Sequence, residues 1–255
     1  MEIYVSQFII FLLLFVRITA LIVTAPVLGY EAVPVQVKAS LGLFLSLVFY
    51  PLASNHAPQI DTRLIPLVIV ALKEISVGLL LGFVLSLILA GARFAGDIIG
   101  YGMGFSMANI IDPESEQSVS LISEFFYIVS MLLFLLLNGH HFVIEALQLS
   151  YAAVPMGGLS LNTLLGAGVI RLTSFVFLVA VKLAAPIIVA LFLVDVGLGV
   201  LARVVPQMNV FMVSFPLKIV VGLMMLMTTG PMTIYVFKKL LVSFESDVLA
   251  LVQVM

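Results

Sequence analysis

The amino-acid sequence predicts an all-α membrane protein. Hydrophobic residues make up 63 % of the 255 positions and charged residues only 9 %, more apolar surface than a soluble domain of this size can bury. The mean hydropathy is +1.31. The apolar residues also come in long runs, divided by prolines, glycines and short polar clusters, as in membrane helices. The length allows about six spans in a single membrane domain. A net charge of −2 without a basic cluster argues against nucleic acid. The absence of cysteine excludes disulfides, thiolate metal sites and cysteine nucleophiles together.

The first residues carry Glu2 rather than a basic segment, which argues against a cleaved signal peptide. An apolar segment from Phe8 to about Val27 follows, with Arg17 in its middle. An arginine at mid-bilayer costs a few kcal/mol, so Arg17 is expected to face protein or water rather than lipid. Pro26 to Glu31 breaks this segment. A second runs from Pro34 through Lys38 to Tyr50 and is expected to end at Pro51, short for a full span. Ser54 to Arg63 is a polar turn containing His56.

Leu64 to Ala92 is the next apolar segment, interrupted by Lys73-Glu74. Adjacent charges on a helix do not face each other, so each needs its own partner. Gly78, Gly82, Ser86 and Ala90 then form a small-residue stripe at four-residue spacing, the pattern of close helix packing within or between subunits. Arg93 and Asp97, four apart, are placed to pair on one helical face.

The stretch from Gly96 to Glu124 continues with a second stripe, Ala92, Gly96, Gly100, Gly104 and Ala108, and then with Asp112-Pro113-Glu114-Ser115-Glu116-Gln117, the densest polar island in the chain. Two readings stay open. One is a loop joining two membrane helices. The other is a mobile element at the mouth of a pathway, with glycines supplying backbone freedom and the loop a lid. The gate candidates are Gly100, Gly102, Met103, Gly104, Phe105, Met107, Asp112 and Pro113. Met103, Phe105 and Met107 are deformable apolar fillers.

Ser118 to Leu137 and His140 to Val154, parted by Asn138-Gly139, read as an α-hairpin with Glu145 in its return arm. His140 and His141 diverge by about 100° on a helix and lack further ligands at metal-motif spacing. They are expected to cap the turn. Pro155 to Gly158 is a turn. Leu164 to Ala202 carries Arg171, Lys182 and Asp195, with Pro186 expected to kink it. Arg203 to Phe211 is a polar-edged corner. A last apolar arm from Val213 to Thr229 contains Lys218 and is expected to end at Gly230-Pro231. Tyr235 to Met255 is amphipathic, as in a segment lying at an interface.

Pro26, Lys38, Gly42, Leu43 and Pro51 match Pro206, Lys218, Gly222, Leu223 and Pro231 at identical offsets, which suggests two similar halves. Loop charges are too few to orient the chain, although Lys238-Lys239 favours the cytosolic side for the final segment. Arg17, Lys38, Lys73, Glu74, Glu145, Arg171, Lys182, Asp195 and Lys218 all interrupt apolar runs. Isolated helices in lipid would not tolerate them, so either the helices close around a polar pathway or a larger assembly satisfies these groups. The buried-charge and assembly candidates are Arg17, Lys38, Glu74, Glu145, Arg203, Gln207, Asn209 and Lys218. No catalytic motif, phosphate loop or metal set occurs, so neither enzymatic activity nor a cofactor is expected.

These residues carry a family resemblance. Phe15-Val16-Arg17, the spacing of Pro26, Pro34 and Lys38, and Gly100-Tyr101-Gly102-Met103-Gly104-Phe105 leading to Asp112-Pro113 resemble the FliR family, the export-gate membrane component of flagellar type III secretion. So do Asn138-Gly139-His140-His141 with Ser150 and Pro155, and Arg203 to Phe211 with Phe215-Pro216-Leu217-Lys218. The resemblance covers nearly the whole chain, and the Asn-Gly-His-His turn is similar to flagellar rather than injectisome members. It implies broken-helix hairpins packed with FliP-family and FliQ-family subunits into a hetero-oligomeric helical export-gate assembly. That assembly would lie in the bacterial inner membrane, within the flagellar basal body, with an FlhB-family component nearby and unfolded proteins as cargo. It further implies N-terminal helices over residues 1–110, a plug-like loop at 111–118 inside the pore, and helical hairpins with an amphipathic tail over 119–255. The alternative from residues alone is a small-solute secondary transporter with inverted helical halves.

Overall fold

The structure is a computed structural model and describes residues 2–54, 63–105, 120–160, 162–207 and 209–255. Seven helices occur among these residues, and no strand. They are α1 (Glu2–Thr24), α2 (Val35–Ser54), α3 (Leu64–Met103), α4 (Leu121–Leu136), α5 (Gly139–Ala153), α6 (Thr163–Val204) and α7 (Val210–Val254). Five are long and apolar enough to cross a membrane, or six spans if α4 and α5 count as one broken span. The chain is thus the all-α membrane protein its composition predicts.

Proline punctuation misleads at several helix ends. Pro51 lies inside α2, Pro186 inside α6, and Pro216 and Pro231 inside α7. A proline removes one backbone donor and disfavours helix locally, but the apolar pattern on both sides outweighs that cost. Two expected boundaries are therefore corrected. The second segment does not stop at Pro51, and Val35–Leu52 is long enough to span. Nor does the last arm stop at Gly230-Pro231, because α7 continues through the amphipathic tail as one helix of 45 residues. At 1.5 Å per residue α7 is about 68 Å long, and α3 and α6 are about 60 Å, twice the ~30 Å hydrocarbon core. A straight helix of that length set along the membrane normal would extend beyond the hydrocarbon core.

The chain forms two compact units. The first comprises Met1–Leu87, Asn138–Thr173 and Ser243–Met255. Its core includes Leu13, Leu14, Ile18, Leu21 and Ile22 of α1, with Val77 and Leu81 of α3, Ala146 and Leu147 of α5, and Phe244 and Val248 of α7. The stripe on α3 lies against α1. A Cβ built on Gly78 would stand 2.8 Å from Ala20 Cβ, and one on Gly82 2.8 Å from the Leu21 carbonyl oxygen. These contacts advance in the same sense along both helices, so α1 and this part of α3 run parallel. The stripe thus has an intrachain partner.

The second unit comprises Ile88–Leu137 and Ser174–Val242. Here α3 continues against α4. A Cβ on Gly96 would meet Ser123 Cα at 2.5 Å, and one on Gly100 would collide with the Ser120 side chain. The partners descend along α4 as α3 ascends, so the two helices are antiparallel. Residues 118–154 were expected as one hairpin, but its arms belong to different units, which change over at Asn138. Asn138 sits in the left-handed region at φ 62°, which asparagine tolerates better than most residues. The His141 amide donates to its carbonyl at 2.9 Å.

Candidate functional site

Each unit contains one cluster in which charges or glycines determine the geometry. In the first, Arg17 and Glu74 are buried, with 0 % and 1 % of their side chains exposed. They form a two-pronged pair. Arg17 Nε donates to Glu74 Oε2 at 2.6 Å, and Nη2 donates to Oε1 at 3.0 Å. Charge-assisted forks of this kind are the strong form of the interaction. Arg17 Nη1 reaches the carbonyls of Ser150 and Val154 at 3.2 and 3.3 Å, and Nη2 reaches Val154 again at 3.2 Å. All five guanidinium N–H bonds therefore have acceptors.

The local sequence explains each partner. Glu74 lies four residues before Gly78, so it continues the stripe that brings α3 close to α1. Ser150 and Val154 lie at the end of α5, where the helix dipole favours a cation; the Ser150 carbonyl also accepts the Val154 amide at 2.9 Å, and that of Val154 lies past the last helical residue. The Tyr151 ring lies 4.5 Å from the guanidinium carbon, a cation–π contact. In the 155–158 turn, Gly157 takes φ +73°, and its amide donates to Glu74 Oε1 at 2.9 Å. Lys73 Nζ donates to the Gly157 carbonyl at 2.9 Å. Lys73 and Glu74 thus meet at opposite groups of the same residue, Gly157, and Glu74 also holds Arg17. Two helices, one helix end and one turn meet on a single charge pair.

The second cluster surrounds the end of α3. The amide of Gly104 donates to Tyr101 and that of Phe105 to Gly100, both at 3.0 Å. With Gly104 at φ +89°, this is the Schellman cap, in which glycine takes the left-handed position after the last helical residue. The capped end is held from two sides. A Cβ on Gly102 would stand 3.0 Å from Ile188 Cδ1 and 3.1 Å from Leu191 Cδ1 of α6. From α7, Phe215 packs on Gly104, and Gly222 packs on Met103, itself fully buried. Lys218, between Phe215 and Gly222 on the same helical face, pairs with Asp195 of α6 at 2.6 Å. Residues 106–119 depart from this end, and the described chain resumes at Ser120, beside Gly100.

The predicted residues separate accordingly. Gly100, Gly102, Met103, Gly104 and Phe105 come together at the α3 end, while Met107, Asp112, Pro113, the stripe residue Ala108 and His56 lie outside the described residues. Arg17 meets Glu74. Lys38 is half-buried and donates to the Gly29 carbonyl at 3.0 Å, so it and Lys218 have different kinds of partner despite their matching offsets. Glu145, Arg203, Gln207 and Asn209 are exposed on this chain. The last three lie at or between the ends of α6 and α7. Arg93 pairs with Glu124 at 3.3 Å rather than with Asp97, because α4 returns along its face of α3. Sequence reasoning missed Gly157, Tyr151 and the two α5 carbonyls. The signal for the last was the helix end preceding Pro155.

The comparison with known proteins follows these features along the chain. The profile of the family described as bacterial export proteins, family 1, matches residues 8–244. The chain belongs to bacterial export protein family 1. It is similar to the flagellar biosynthetic protein FliR of Bacillus subtilis, 35 % identical over 220 residues that cover 85 % of this chain and 84 % of the relative. It is 34 % identical to that of Escherichia coli over 85 % and 82 % of the two chains. Against that of Aquifex aeolicus it is 30 % identical over 89 % and 88 %. The FliR resemblance therefore extends over most of the chain, and this member of the export family is a membrane protein. Neither of its clusters presents a nucleophile beside a base. Among the described residues no three His, Cys, Asp or Glu side chains are grouped to hold a metal. The two arrangements fix helices, and the second holds the described residues on either side of 106–119.

Proposed function

We propose that this export-family member helps to form and seal the pore through which unfolded flagellar subunits cross the bacterial inner membrane. In this reading it assembles with FliP-family and FliQ-family subunits in the flagellar basal body, with an FlhB-family component alongside. The observation that carries the reading is the fixing of the residues that flank 106–119. The chain leaves a glycine-capped helix end gripped by α6 and α7, and resumes at Ser120, in contact with Gly100. A segment between these two fixed points that carries Met107, three serines and three acidic residues suits a removable plug. Its apolar side chains fill irregular space, and its charges favour displacement into water. Large apolar faces on α6 and α7, including Phe192, Leu193 and Met227, suit contact with lipid and with neighbouring subunits.

A small-solute transporter built from two equivalent halves draws no comparable support. Lys38 and Lys218, the positions that would define equivalent sites, bind a carbonyl and a carboxylate respectively. The test of the gate is deletion of Ile110 to Gln117. The deleted protein is expected to co-purify with its partners while the cells take up a normally excluded dye. An assembled deletion that admits no dye would place the seal in other subunits.

A further inference from the structure

We propose that Asp195 and Lys218 are positioning residues that clasp α6 to α7 and thereby hold the end of α3, setting the base of the plug-like segment. The inference rests on the gate reading and adds how the gate is kept in register.

Three facts lead to it. Phe215, Lys218 and Gly222 lie at i, i+3 and i+7, one face of α7. Phe215 and Gly222 are the two positions at which that face touches Gly104 and Met103. The ion pair therefore stands between the two contacts rather than beside them. On α6, Ile188 and Leu191 touch Gly102, and Asp195 lies one turn beyond Leu191 on the same face. The 2.6 Å pair thus closes a three-helix grip whose contacts at Gly102, Gly104 and Gly222 are dispersion. Such contacts are short-ranged and weaken steeply with sub-ångström separation.

The charges also sit where they need a purpose. Asp195 and Lys218 interrupt apolar helices, and Lys218 keeps only 18 % of its side chain exposed where Asp195 keeps 49 %. An unpaired ammonium there is costly, so Lys218 is bound to follow Asp195. The packing around the glycines cannot supply the same restraint. Gly102 and Gly222 leave backbone bare, which permits close approach but also sliding. A directional pair fixes the register that a smooth glycine contact leaves free.

The test exploits the absence of natural cysteines. A Cβ on Gly222 would lie 2.8 Å from Met103 Cγ, so cysteines at 103 and 222 fall within disulfide reach. In the full chain, expressed with its partners, Met103→Cys with Gly222→Cys is expected to cross-link under mild oxidation. Adding Asp195→Asn should abolish most of that cross-link and raise dye entry. Asp195→Glu should retain it, and the exchange Asp195→Lys with Lys218→Asp should restore it. The neutral pair Asp195→Asn with Lys218→Met leaves no stranded charge, so it assembles even where the single variant does not, and it too should lose the cross-link. An undiminished cross-link in an assembled neutral pair would overturn the clasp. The deletion of Ile110 to Gln117 is read separately, so a silent deletion would remove the plug while the cross-link still decided the clasp.

Discussion

Replacing Glu74 with alanine leaves Arg17 fully buried and stripped of its carboxylate. Two charge-assisted bonds disappear, of 2.6 and 3.0 Å, and the Gly157 amide loses its acceptor. Breaking one side of a buried pair costs about 3–5 kcal/mol, because the remaining charge stays desolvated. An orphaned amide adds about 1–3 kcal/mol. Three carbonyl bonds and the Tyr151 ring still serve Arg17, so we expect the total near the lower sum, about 4 kcal/mol. Replacing both residues, Arg17→Met with Glu74→Leu, removes the stranded charge and should cost less than half as much. Purified chain in micelles can be unfolded with a denaturing detergent and followed by far-ultraviolet circular dichroism, since it contains no tryptophan. The argument fails if Glu74→Ala does not move the transition, or if the double variant is as unstable as the single one.

Further outcomes follow from the same geometry. Gly82→Leu should reduce recovery of the complex, since a Cβ there already collides with Thr24 of α1 and overpacking costs about 1–3 kcal/mol or more; pull-down yield against wild type measures it. Gly104→Ala places a side chain at φ +89° and 2.7 Å from Phe215, a strain of about 1–2 kcal/mol from the backbone alone. It should lower the unfolding midpoint, whereas Gly197→Ala, with open space around it, should not. The part-exposed Arg93–Glu124 pair contributes about 0–1 kcal/mol, so Glu124→Gln should leave stability within that range and lose sensitivity to salt. Lys38→Met, which removes the bond to Gly29, should depress motility more than Lys239→Met in the exposed part of α7; equal swarming diameters would contradict this.

Much of the fold was legible because its cause is local. Long unbroken apolar runs point to membrane helices whatever their arrangement, since a helix satisfies its backbone within each run. The spacing of Gly78 and Gly82 announced a close helix contact. Arg17 could not face lipid, whereas Lys73 and Glu74, expected to need separate partners, both bind Gly157. The glycine series was expected as one helical stripe running to Ala108, but α3 ends at Met103 and Gly104 is its left-handed cap. Errors arose where a local signal competed with flanking pattern: Pro51 and Pro231 have helix on both sides strong enough to carry the chain through.

Alone, the sequence determined which groups needed partners and which surfaces could approach; it did not determine who met whom. Glu74 is 57 residues from Arg17, and the α5 carbonyls are 133 and 137 residues away. Nothing local distinguishes Glu74 from Asp195 or Glu145 as the carboxylate Arg17 would find. That choice belongs to tertiary structure, because a buried charge interacts strongly only within a few ångströms, and only packing brings distant residues that close. Asp97 shows the converse. Placed correctly for Arg93 by helix period, it yields to Glu124, because the returning α4 presents a carboxylate across the α3 face where Arg93 lies.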